Sequence, residues 1–179
     1  YMNTPETLTY SKRRILYGMN LAKKSKRSNI ILCEGNLDVV TLHQAGFDNA
    51  VASMGTALTQ EQLRLLSRYT KELVLCYDND NAGQQATRRA LELLNNSEFS
   101  VKVLQLPRRL VDGEYIKQDA DDFIKFQGPA AFERLLTGSE NGVEFRLDQI
   151  AGKYDLTDDT QRIAYAQEVS EELAKLENA

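Results

Sequence analysis

The sequence has no tryptophan, three prolines, two cysteines and a single histidine, and none of its apolar runs is long. Each shortage removes a class of protein. A membrane-spanning helix needs about 18–20 consecutive apolar residues, and no such stretch exists. Two cysteines, Cys33 and Cys76, cannot build the disulfide framework of a small secreted domain. They lack the paired spacing of a zinc site and lie inside apolar runs, where a free thiol acts as a small hydrophobe. His43 stands alone, which makes it a poor metal ligand. No secretory leader is visible, so a cytoplasmic location is the expectation. The chain starts at Tyr1 rather than methionine, which reads as a piece of something longer.

What is present suits a globular fold. With 179 residues, 42% hydrophobic and 27% charged, the chain can bury one core, with or without a small appendage. The net charge of −4 hides a split. Residues 1–29 carry seven basic side chains (Lys12, Arg13, Arg14, Lys23, Lys24, Lys26, Arg27) against Glu6 alone, leaving 15 basic and 25 acidic beyond them. A basic arm beside an acidic body suits a protein that meets a polyanion and holds cations of its own. From charge alone, a solvated helix face with a linker is the favoured reading.

Hydrophobic patterning predicts alternating strands and helices. A helix is expected over 10–24, then strands at Ile30–Cys33, Ala50–Ser53, Leu73–Tyr77 and Phe99–Leu106. Helices are expected over 36–45, with Gly46 as a left-handed cap, from the Thr59–Gln62 capping box onward, and over 82–94. Pro107 ends the last strand, and no strand signal follows it. Asp112-Gly113-Glu114 reads as a turn. Helices are expected over 130–136, 143–151 and 158–176, the last capped by Thr157. Short units of this kind imply right-handed crossovers and a mostly parallel sheet covered on both faces. The fold class is α/β, followed by a small C-terminal helical bundle. The expected parts are 1–29 as a basic leading segment, 30–127 as the α/β core and 128–179 as a helical subdomain.

Two buried strands run straight into acids. Ile30–Cys33 delivers Glu34-Gly35, with Asp38 in the following helix; Leu73–Tyr77 delivers Asp78-Asn79-Asp80. A third cluster, Asp119-Ala120-Asp121-Asp122, precedes Phe123. Open α/β sheets bind ligands at the carboxyl ends of their strands, and carboxylates gathered without basic partners repel unless a cation lies between them. Magnesium takes one or two carboxylates and completes its shell with water and phosphate oxygens. Taken singly, each cluster reads first as a solvated turn or a helix cap. Asp78 to Gly83 imitates a calcium loop, but Ala82 and Arg89 occupy positions that need ligands.

Glu34-Gly35-Asn36-Leu37-Asp38, Ala50-Val51-Ala52-Ser53-Met54-Gly55-Thr56 and Cys76-Tyr77-Asp78-Asn79-Asp80-Asn81-Ala82-Gly83 together resemble the TOPRIM core of bacterial DnaG-type DNA primases. The opening Tyr1–Thr7, Leu16-Tyr17-Gly18 and Asp119-Ala120-Asp121 extend the resemblance over nearly the whole chain. It implies Glu34 as the acid/base or metal-proximal carboxylate, and Asp78 and Asp80 as metal ligands. Asp38, Asp119 and Asp121 would complete the centre. Lys12 and Asn3 match positions that contact nucleotide or template. Asn36 replaces the family's usual aromatic residue and Ala120 its usual proline, which puts the aim of Asp119 and Asp121 in question.

The implied reaction is synthesis of RNA primers on single-stranded DNA from ribonucleoside triphosphates, with Mg2+, or Mn2+ in its place. Zinc would belong to an N-terminal module absent from this sequence, and the replicative helicase would be met through a C-terminal domain also absent. A monomer with weak or no primer synthesis of its own is the expectation. Another TOPRIM enzyme, a nuclease or topoisomerase, and a non-catalytic metal-binding module stay open. Nothing marks Tyr10, Tyr17 or Tyr69 as a topoisomerase nucleophile.

Overall fold

The apolar runs form the middle of a five-stranded sheet. The computed structural model describes residues 6–7, 10–95, 97–111 and 113–177. Strands β1 (Asn29–Cys33), β2 (Ala50–Ala52), β3 (Glu72–Cys76), β4 (Ser100–Val103) and β7 (Glu140–Asn141) lie in the order β2-β1-β3-β4-β7. The first four pair in parallel, and β7 pairs with β4 antiparallel. This is the expected mostly parallel sheet.

Period-two alternation sends each strand's side chains to two cores. Ile30, Leu32, Leu73 and Leu75 face α1 (Met19–Ala22), α3 (Gln60–Leu66), α4 (Asn81–Leu94) and α7 (Gly142–Ala151). Ile31, Cys33, Val74 and Cys76 face α2 (Asn36–Gln44), α5 (Ala120–Gln127) and α6 (Pro129–Thr137). Both cysteines are buried free thiols. Phe132 of α6 meets Phe47 and Phe123 edge-on, at centroid distances of 4.8 and 6.1 Å. α8 (Asp159–Glu177) packs on α7, where Arg146 pairs with Glu172 at 2.9 Å. Among the described residues no helix is long and apolar enough to cross a membrane.

Three expectations need correction. The helix foreseen over 10–24 is a turn, a β-bridge and the four-residue α1. Tyr17 exchanges backbone hydrogen bonds with Ala52, at 2.9 and 3.1 Å, and Gly18 follows at φ 79°. The buried Gln62 amide donates to the carbonyls of Lys12 and Ile15, at 2.8 and 3.0 Å, so those carbonyls are held outside a helical ladder. Strands also follow Leu106: β5 (Arg109–Val111) and β6 (Glu114–Ile116) form an antiparallel hairpin, and β7 closes the sheet. Each is two or three residues long, too short for alternation to be readable. Finally, Asp158 rather than Thr157 caps α8, accepting from the Gln161 N–H at 2.9 Å, because Thr157 is taken up by Asp155. Asp112 lies outside the described residues, and Gly113, at φ 86°, sits at the hairpin tip.

Candidate metal centre

The site follows from register. Cys33 pairs with Cys76 across the parallel strands β1 and β3, so Glu34 and Tyr77-Asp78 leave the same sheet edge side by side. The chain runs from β1 outward to β2, then returns to β3 on the other side. That reversal opens a crevice at the carboxyl ends of β1 and β3, where doubly wound sheets bind ligands.

Three helix N-termini bring the remaining acids to this edge. Gly35 precedes α2, and its N–H donates to Asp38 Oδ2 at 3.2 Å. Asp80 caps α4, accepting from the Gly83 N–H at 2.7 Å. Asp119 caps α5, accepting from the Asp122 N–H at 2.7 Å. The helix start lies so close to the Asp78 backbone that a Cβ on Gly83 would sit 2.0 Å from the Asp78 carbonyl oxygen. The Asn79 amide donates to the Leu106 carbonyl at 3.1 Å and pins the same loop to the end of β4.

Electrostatics reports the crowding. Glu34 is half-buried; burial, then Asp78, Asp80 and Asp38, push its pKa up to about 7. Burial and Asp119 raise Asp38 to about 6, against the pull of the Asp121 and Gly35 N–H groups. Burial, Asp119 and Asp80 raise Asp78, with Lys117 opposing. Asp80 is held low by the Gly83 N–H and by Lys117, whose Nζ lies 3.5 Å from Asp80 Oδ2. Burial raises Asp121, but the Lys125 ion pair and the Thr41 hydroxyl outweigh it and leave its pKa lowered. Glu34 Oε1 is buried with no hydrogen-bond partner.

The acids are not equivalent. Asp119, Asp121 and Asp122 offer carboxylate oxygens that lie within 4.8 Å of one another, the spacing of a shared cation. Glu34, Asp38, Asp78 and Asp80 repel their neighbours without being drawn into so tight a group. Asp38 spends both oxygens on backbone, Oδ2 on Gly35 and Oδ1 on the Asp121 N–H at 3.3 Å. It links the first acidic stretch to the third. The turn at Ala120 is held by the Asp119 cap and by the buried Ala120 methyl, without a proline. Lys12 is half-buried and anchored through its carbonyl. Asn3 lies outside the described residues. His43 Nε2 faces the Ala50 carbonyl at 2.9 Å.

The sequence places Asp122 in the third acidic cluster without assigning it a role in the site, and it gives no sign of Lys117. Lys117 is brought to Asp80 by a hairpin that had no readable signal.

An orphaned buried carboxylate oxygen, a tight trio of acids and oxygen-only donors fit a hard divalent cation. A cation between the clusters would relieve the repulsion that adds to burial in raising Glu34 and Asp38.

Comparison with known proteins agrees with this geometry. The profile of the Toprim-like family matches residues 31–124, and that of the DnaB-helicase binding domain of primase matches residues 143–179. The expectation of a helicase-binding domain wholly outside the sequence is therefore corrected: the match falls within it. The DNA primase of Clostridium acetobutylicum is 38% identical over 178 residues, covering 99% of this chain and 28% of that protein. The primase of Enterococcus faecalis is 36% identical over 182 residues, with the same shares. The chain thus spans little more than a quarter of these curated relatives. The DnaG primase catalytic domain bound to single-stranded DNA superposes with a TM-score of 0.78 at 30% identity, over 98% of this chain and 56% of that one. A DNA primase domain from Pseudomonas aeruginosa gives 0.79 at 31% identity, over 98% and 54%. The chain belongs to the Toprim-like family, as the catalytic-core region of a bacterial DnaG-type DNA primase.

Proposed function

We propose that this chain holds the metal centre of an RNA-primer synthase acting on a single-stranded DNA template. The observation that carries the reading is Glu34: its buried Oε1 has no partner, and Asp78, Asp80 and Asp38 help to raise its pKa to about 7. A general base works best near the operating pH. Glu34 would accept the proton of a ribose 3′-hydroxyl as that oxygen bonds to the α-phosphorus of a ribonucleoside triphosphate. The bond from the α-phosphorus to the leaving oxygen breaks, and pyrophosphate departs.

Asp78, Asp80, Asp119, Asp121 and Asp122 would hold magnesium, or manganese in its place. The ion, when bound, neutralises the triphosphate and the developing charge. Asp38 would position the loop of Gly35 and the start of α5 and stay within reach of the metal as a further ligand. The chain's share of catalysis is placement and charge, since phosphoryl transfer asks little covalent chemistry of a protein. Lys12 and Asn3 remain proposed contacts to nucleotide or template. The division into a leading segment (1–29), a core (30–127) and a helical tail (128–179) belongs to the same reading. In it residues 143–179 contact the replicative helicase, supported by the profile that matches them.

The test is calorimetric titration with manganese. The wild type should bind, and Asp78→Asn/Asp80→Asn should bind at least tenfold more weakly. Identical traces for the two proteins would leave only a scaffold with capped helices. Supplementing a primase lacking this region with the chain should restore primer synthesis that Glu34→Gln does not.

A further inference from the structure

Resting on that reading of the acidic centre, we propose that the outward face of the β5–β6 hairpin is a docking strip for a single strand of nucleic acid running past the metal centre. The hairpin is fixed at its base. The Gln118 amide donates to the Pro107 carbonyl at 2.6 Å, and the Asn79 amide to the Leu106 carbonyl at 3.1 Å. On one face the Arg109 guanidinium lies 3.5 Å from the centroid of the Phe126 ring of α5. Cross-strand register pairs Leu110 with Tyr115, which places both on the opposite face. The same alternation adds Arg108 and Lys117 at the base.

These four side chains are exposed, Leu110 by 58% and Tyr115 by 69%. A tyrosine ring and a leucine exposed side by side, with two cations next to them at the hairpin base, suit neither core packing nor a plain solvated turn. The set matches what a single strand requires: an aromatic plane for a base and, next to it at the hairpin base, cations for the adjoining phosphate. Charge selects the same occupant. Beyond residue 29 the chain carries ten more acidic than basic side chains. A polyanion approaching the centre therefore needs a local basic strip, and residues 108–117 carry Arg108, Arg109 and Lys117 against Asp112 and Glu114. The strip is continuous with the metal centre, because Lys117 reaches Asp80 at 3.5 Å and Asp119 follows two residues later.

The experiment is fluorescence anisotropy of a labelled 20-nucleotide oligothymidylate with the 179-residue chain, in chelator, over a range of salt concentrations. Chelator separates the strip from the metal centre, which the manganese titration reads independently. Tyr115→Ala should weaken binding about 5- to 150-fold, the range of one lost base–aromatic stack, and Tyr115→Phe should restore it. Arg108→Ala should lower the slope of log affinity against log salt by about 0.7, one phosphate contact on a single strand. Both variants should keep the wild-type circular dichroism and manganese isotherm, since neither residue touches the acids. Affinities of Tyr115→Ala and Arg108→Ala within twofold of wild type would overturn the proposal. So would a wild type with no measurable affinity at low salt.

Discussion

The backbone N–H of Asp121 donates to Asp38 Oδ1 at 3.3 Å, so the first turn of α5 hangs on a side chain of α2. The other oxygen of Asp38 holds the Gly35 N–H. One buried carboxylate thus fixes two of the loops that deliver acids. The Thr41 hydroxyl, also from α2, donates to Asp121 Oδ1 and adds a second strut.

Removing the first strut should be costly. Asp38→Ala leaves two part-buried N–H groups without an acceptor, a loss of about 1–3 kcal/mol. Relief of charge repulsion on Asp38, itself raised to about 6, offsets part of that at neutral pH. Urea unfolding should show a net destabilisation, and amide hydrogen exchange should quicken at Asp121 and Gly35 specifically. Wild-type exchange at the Asp121 amide in the variant would mean that α5 is positioned by something else.

Acid crowding predicts how stability depends on pH without metal. Glu34 and Asp38 have native pKa values of about 7 and 6, above their ordinary 4.5 and 3.8. In that interval the folded chain binds protons that the unfolded chain has released. Their contribution is therefore complete below about pH 4 and is lost as pH rises through 6 and 7. The lowered groups Asp80 and Asp121 act in the opposite sense, in the more acidic range below the ordinary aspartate value. In chelator the melting temperature should fall between pH 5.5 and 8, and Glu34→Gln should flatten the fall. Added magnesium should raise it more at pH 8, where protons no longer compete for the ligands. A melting profile in chelator that climbs over this range, equally in both proteins, contradicts the assignment.

Gly83 tests the second loop. Its ideal Cβ position lies 2.0 Å from the Asp78 carbonyl oxygen, a backbone atom that cannot swing aside as a side chain would. Gly83→Ala must therefore push the start of α4 away from the loop carrying Asp78 and Asp80. Overpacking of this kind costs about 1–3 kcal/mol, so the midpoint of urea denaturation should drop. Manganese affinity should drop too, whereas Ala82→Gly, its exposed neighbour, should leave affinity near wild type. Full metal affinity in Gly83→Ala would show that the close approach does not aim the ligands.

Much of the fold is legible because burial and punctuation agree. Ile30–Cys33 and Leu73–Tyr77 are continuous apolar runs that only a two-face-covered strand accommodates. Thr59 and Gln62 form the reciprocal capping box that their spacing announces. The convergence of Glu34 with Asp78 follows from two strands that end in acid, once they are neighbours. What sequence does not carry is long-range diversion of hydrogen bonds. Nothing local to Lys12 or Ile15 says that Gln62, 50 and 47 residues away, will capture their carbonyls. The β5–β6 hairpin hides for a different reason: its strands are short, and both faces hold a mixture of charge and apolar side chains. Lys117 at the metal centre was invisible for as long as the hairpin was.

Phe132 tests how firmly α6 is built into the core. Its ring is fully buried, edge-on to Phe47, which follows α2, and to Phe123 of α5. The Arg27–Glu133 pair next to it, at 2.9 Å, is partly exposed and adds little. The Arg27 guanidinium also lies 4.8 Å from the Phe47 ring centroid, a contact that survives loss of Phe132. Phe132→Ala removes a ring from a closed aromatic cluster and should cost about 3–5 kcal/mol. Because Phe123 sits one turn beyond Asp119, the cavity should also loosen the carboxylate trio. Chemical denaturation should show the stability loss as one transition, with a parallel fall in manganese affinity. Two separate transitions, the first leaving metal binding intact, would instead make α6 part of an independently folding tail.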